Sequence, residues 1–70
     1  MSTTVQKKTY SVVITKDLEE GGFVATCDEL HAVSEGDTFG EMMENIREAM
    51  ELAAEEGGHT TDFNMLIMEQ

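Results

Sequence analysis

Apolar and polar positions alternate through residues 10–15, YSVVIT. Tyr10, Val12 and Ile14 share one face, with Ser11, Val13 and Thr15 on the other. A period of two in β-branched and aromatic residues predicts a strand. Residues 23–27, FVATC, predict the returning strand, with Phe23, Ala25 and Cys27 opposite Val24 and Thr26. Residues 17–22 between them, DLEEGG, predict a turn, because paired glycines tolerate positive φ. The two strands and the turn make a hairpin. Residues 28–30 predict an irregular corner and residues 31–35 a short third strand. Gly36-Asp37 then turns the chain, and the period changes. Through residues 39–56, Phe39, Met42, Met43, Ile46, Ala49, Met50 and Ala53 fall on one side of a helix turning ~100° per residue. Gly57-Gly58 is a stop signal. After a polar link, the apolar run of residues 63–68, FNMLIM, predicts a fourth strand, since no cap precedes it and few residues remain for a helix.

The start of the helix carries its own signature. Thr38 stands three residues before Glu41, the S/T-x-x-E/Q capping box, in which the hydroxyl and the carboxylate each satisfy an amide left unpaired at a helix start. Gly36, Asp37 and Thr38 are therefore structural positions. The order β-β-β-α-β predicts an α+β domain, an antiparallel-rich sheet with one helix packed on one face. Residues 1–8 predict a flexible N-terminal arm and residues 9–70 a single domain.

One helix covers one face of a four-stranded sheet. Val13, Val24 and part of the last strand are left on the other, which suggests a second layer from another subunit and a homodimer or higher oligomer. On the helix itself, Glu41, Glu44, Glu48, Glu51 and Glu55 recur at spacings of three and four, nearly opposite the apolar stripe. Like charges at those spacings disfavour a helix by ~0.2–0.5 kcal/mol per pair. Arg47 alone can relieve its neighbours, and Leu52 lies near the edge of this face. Two readings stand side by side: a solvated face, or a surface that meets a basic protein. Glu41, Glu44, Glu48 and Glu51 are the candidate partner-binding residues.

Charge narrows the function classes. The chain of 70 residues has 4 basic and 15 acidic side chains and a net charge of −11. Sequence-independent nucleic-acid binding needs Lys and Arg to displace counterions from phosphates, so direct nucleic-acid binding is not expected. The acidity suits either a basic partner or a salty habitat. Cys27 is the one cysteine, which excludes an internal disulfide and fits a reducing compartment. No apolar run approaches the ~20 residues of a membrane span, and the N-terminus lacks the apolar core of a signal peptide. These features predict a soluble, cytoplasmic protein with no membrane association.

Catalytic and metal patterns are weak. Asp17 and Asp28 stand near strand ends, but a two-metal nuclease site needs several convergent carboxylates. Cys27 and His31 are four apart, with only His59 as a further nitrogen ligand, short of the paired spacing of a zinc site. Cys27 alternates with Phe23 and Ala25 and reads as a small core residue. Gly36-Asp37-Thr38-Phe39-Gly40 lacks the lysine of a phosphate loop. No catalytic residue, metal ligand or cofactor is assigned.

Taken together, YSVVITKD, a paired-glycine turn, FVATCDEL and GDTFGEMMENIREAMEL resemble the HicB-like antitoxin family. That family typically reads G-D-T-x-x-E-A-x-x-N-[AIL]-x-E-A, matched here by Gly36, Asp37, Thr38, Glu41, Asn45, Ile46, Glu48 and Ala49. The likeness spans residues 9–55. It departs at His31-Ala32, where the family has Pro-Gly, at Asp28, often proline, and at Met42, commonly alanine. The resemblance implies a partial ribonuclease-H-like fold without nuclease activity. It also implies a binding protein, not an enzyme, that neutralises a small basic HicA-type mRNA-cleaving toxin. Many family members carry a C-terminal DNA-binding segment, and none is read before Gln70, so direct repression of an operon is not expected. Alternatives are a solitary oligomeric interaction or regulatory protein without a toxin, and, remotely, a degenerate metal-dependent nuclease.

Overall fold

β1 runs from Lys8 to Lys16, longer at both ends than its alternating apolar stretch requires. The computed structural model describes residues 8–70, so most of the expected arm, residues 1–7, lies outside the described residues. Asp17 opens the hairpin turn. Its Oδ1 accepts from the amides of Glu19 at 3.0 Å and Glu20 at 3.1 Å, while Gly21 and Gly22 take φ of 82° and 88°. β2, Phe23–Cys27, returns antiparallel with Ile14 opposite Ala25. β3, Ala32–Gly36, pairs antiparallel with β2 and begins one residue later than expected. The physical reason is His31, which turns the corner at φ 56° and so cannot extend the strand.

α1, Phe39–Glu56, carries the chain across to β4, Phe63–Glu69. β4 lies parallel to β1, with Tyr10 opposite Met65 and Val12 opposite Ile67. A parallel neighbour needs a long crossover, which the helix supplies. The sheet order is β3-β2-β1-β4, a four-stranded mixed sheet with one helix, in agreement with the expected α+β class.

The helix ends follow their sequence signals. Thr38 Oγ1 accepts from the amide of Glu41 at 3.1 Å. The reciprocal bond differs from a capping box: Glu41 Oε1 accepts from Asp37, one residue before the cap, at 3.4 Å. At the other end the amide of Gly58 donates to Glu55 O and that of His59 to Ala54 O, with Gly58 at φ 76°. That pair of bonds is a Schellman closure, which needs a residue free to adopt positive φ.

The core lies between α1 and the helix-side face of the sheet. Met42, Ile46 and Met50 of α1 are fully buried against Val12, Ala25 and Cys27 of the strands. Tyr10 and Phe63 close one end edge to face, with ring centroids 5.5 Å apart. The buried helix line is narrower than the expected stripe. It runs Met42, Ile46, Met50, Ala54; Met43, Ala49 and Ala53 are half-buried, and Phe39 is exposed. Phe39 stands at the first turn, beyond the sheet, where its ring meets Phe23 edge to face at 5.8 Å. Ala54 replaces it in the core because steps of four from Met42 track the sheet more closely than the broader 100° sector.

Candidate functional site: the acidic faces of the helix and its junction

The helix positions its charged side chains by the same periodicity that buries its methionines. With Met42, Ile46, Met50 and Ala54 turned inward, Glu44, Glu48 and Glu55 are exposed and Glu51 is partly exposed. Glu48, Glu51 and Glu55 line a shallow depression together with Leu52, which is 63% exposed. Arg47 Nε lies 3.9 Å from Glu51 Oε2 with both groups well exposed, a contact worth little in water. The helix's last turn holds no basic residue to oppose the negative end of its dipole. The outer face is thus a strip of negative potential bordered by one exposed leucine.

Glu41 is placed apart from this strip. Its carboxylate turns back to the amide of Asp37, and it lines an open cleft of about 500 Å³ where the hairpin turn meets the β3–α1 junction. Asp17, Glu20, Glu35 and Asp37 line the same cleft, with Asn45 on its wall. Asn45 Nδ2 donates to Glu35 O at 2.8 Å, which ties the helix to the β3 backbone. The cleft joins residues distant in sequence, so helical periodicity gives no sign of it. Asp17 and Glu41 already accept backbone hydrogen bonds there. Among the described residues no three Asp, Glu, His or Cys side chains converge to hold a metal ion.

Gly36, Asp37 and Thr38 are brought together at the junction, each with a distinct task. A Cβ on Gly36 would run into the Met42 backbone, 2.8 Å from its Cα. The absence of a side chain therefore lets α1 pack directly over the end of β3. Asp37 supplies the amide that Glu41 accepts, and Thr38 caps the helix. Cys27 and His31 do not form a nucleophile pair in character. Cys27 is fully buried in the core, and burial pushes its thiol up from the ordinary value of 9.0, whereas His31 is exposed. A protonated buried thiol is a poor nucleophile. Among the described residues no helix is long and apolar enough to cross a membrane.

No family model matches this chain, and neither the curated proteins nor the solved structures contain a match to it.

Proposed function

We propose that this chain is an antitoxin-like binding protein, not an enzyme, that neutralises a small, basic, HicA-type mRNA-cleaving toxin by masking its surface. The observation that carries this reading is the outer face of α1, where Glu44, Glu48, Glu51 and Glu55 form an acidic strip and the last three line a depression with the exposed Leu52. A ribonuclease needs a basic surface to hold RNA, and such a surface is attracted to a negative strip. Leu52 adds an apolar contact at the border of the charged strip, so a partner meets both kinds of surface there. The order β-β-β-α-β with β4 parallel to β1 suits the partial ribonuclease-H-like arrangement that the GDT junction suggested. A partner that cleaves mRNA places the protein in the cytoplasm.

The test is co-expression with any small basic protein encoded next to this gene, or otherwise with a HicA-type toxin, scored by growth rescue and by affinity of the purified pair. The expected result is rescue and a complex that weakens as salt rises, because exposed charge pairs are screened within ~8 Å at physiological ionic strength. Replacing Glu44 and Glu48 together by Lys should weaken the complex by at least about tenfold, within the range seen for interface charges. Absence of both binding and rescue would overturn the reading. The alternative of a solitary oligomeric interaction protein draws on a different observation, the uncovered face of the sheet.

A further inference from the structure

The sheet has two faces, and α1 lies over only one of them. On the other, cross-strand register sets Val33, Thr26, Val13 and Met68 in one row, with Val24 and Leu66 to either side. Val33 is 64% exposed, Leu66 54% and Met68 42%. Strand alternation places one ionisable side chain here, Glu35, at the corner of β3. Glu29 sits beyond the end of β2, where its carboxylate accepts from the amide of Ser11 at 2.8 Å. On a chain of net charge −11, this is a largely neutral face, with one carboxylate at its corner, inside an acidic shell.

We propose that this open face is the interface of a homodimer, two copies packed sheet against sheet about a two-fold axis near Val13 and Thr26. Charge selects the occupant. A basic partner finds one carboxylate here, Glu35 at the corner, and is drawn more strongly to the glutamates of the helix. An anionic membrane repels the shell, and among the described residues the face holds no Lys or Arg to anchor to headgroups. A second copy brings the same neutral rows of valine, threonine, leucine and methionine, which a two-fold axis matches to themselves.

Its own charge is tolerated only in this orientation. Sheets stack ~10 Å apart and a helix with side chains is ~10–12 Å thick, so the two glutamate strips end up roughly 30 Å apart. That is more than three Debye lengths at physiological ionic strength, where the Debye length is ~8 Å. Four strands at ~4.8 Å spacing and ~3.3 Å per residue present a face of roughly 400 Å² in projection. An area of that order fits a reversible dimer of on the order of micromolar affinity, at the small end of specific interfaces. The proposal is independent of the toxin reading, because the helix strips remain outermost and free in the dimer.

Sedimentation equilibrium over a range of concentrations and salt tests it, with Val33→Lys, Leu66→Lys and Glu48→Lys as variants. Val33 and Leu66 lie on opposite edge strands and are exposed, so both variants should keep the wild-type thermal unfolding curve. The wild type should dimerise reversibly, more tightly at 500 mM than at 50 mM NaCl as repulsion between the shells is screened. Each face variant should weaken the dimer by at least about tenfold, because it sets a charged side chain into an apolar contact in both copies at once. Both variants also lower the net negative charge, so added repulsion cannot explain such a loss. Glu48→Lys should dimerise at least as well as wild type. A wild-type monomer throughout would overturn the proposal. So would a dimer that loosens with salt, or one sensitive to Leu66→Lys and indifferent to Val33→Lys, which would mean pairing through the free edge of β4. Toxin binding is expected to weaken with salt while the dimer tightens, so failure of one reading is distinguishable from failure of the other.

Discussion

Gly36 and Gly40 stand four residues apart at the β3–α1 junction, yet the same added methyl group should act on them with opposite signs. At Gly36 the new Cβ meets the Met42 backbone nitrogen and Cα, atoms that cannot move without lifting the helix. Gly36→Ala should therefore destabilise by about 1–3 kcal/mol, the usual cost of overpacking. At Gly40 a Cβ meets nothing within 4 Å, and the residue lies in the first turn of the helix. Gly40→Ala should stabilise by up to ~1 kcal/mol through helix propensity and a less free unfolded chain. Urea unfolding of the two variants checks the pair, and equal signs would refute the close-approach account. Cys27 gives a pH-dependent counterpart. Burial raises its thiol pKa above 9.0, so the folded state holds the proton more tightly than the unfolded chain does. Its contribution to stability is complete below the unfolded pKa and is lost as pH rises through the folded value. Wild type should lose stability above about pH 9 relative to Cys27→Ala, and parallel pH profiles for the two proteins would exclude this origin. His31 is the residue least legible beforehand. Nothing in a single histidine announces a φ of 56°, a conformation that glycine adopts without strain.

At the scale of elements, legibility followed the strength of local rules. The helix was readable at both ends because Thr38 and the Gly57-Gly58 pair act within a few residues of the backbone groups they satisfy. β4 was readable as a strand, but its parallel pairing with β1 was not, since that register depends on how far α1 carries the chain. The glutamate strip was readable from period alone. The acidic cleft was not, because Asp17 and Glu20 reach it from one turn and Glu35, Asp37 and Glu41 from another. The strip also implies a tension between folding and binding. Glu44, Glu48, Glu51 and Glu55 form consecutive like-charge pairs, and the last turn lacks a cation. Glu55→Lys replaces one repulsion by attraction and opposes the helix dipole correctly, so it should raise stability by ~0.5–1 kcal/mol. On the proposed function the same change should weaken the complex with the basic partner. A calorimetric melt and a binding titration on one variant check both signs, and a gain in binding would remove Glu55 from the interface. Thr38→Ala should act on folding alone, with a loss of ~1 kcal/mol from the missing cap.

For the whole molecule, salt is the variable that separates the forces acting on it. Four basic side chains cannot balance 15 acidic ones, and most of the excess lies on the helix and the turns, away from the open sheet face. Unfolding lets those carboxylates move apart, so repulsion works against the folded chain at low ionic strength. The three consecutive pairs of the strip, Glu44 with Glu48, Glu48 with Glu51 and Glu51 with Glu55, alone account for roughly 0.6–1.5 kcal/mol at ~0.2–0.5 kcal/mol each. Screening recovers part of this, because the Debye length shrinks from ~30 Å at 0.01 M to ~3 Å at 1 M. The folded monomer should therefore gain about 1 kcal/mol between 20 mM and 500 mM NaCl. Urea unfolding at protein concentrations below the dimer range isolates this term from association. In Glu44→Lys/Glu48→Lys the gain should be smaller, because the lysine at position 48 now attracts Glu51 and the net negative charge falls by four, two for each substitution, although the two lysines still repel one another. A stability that is flat in salt for wild type, or equally steep in the double variant, would mean that the strip is already neutralised by groups outside the helix. The acidic surface would then have no unbalanced charge to offer a basic partner.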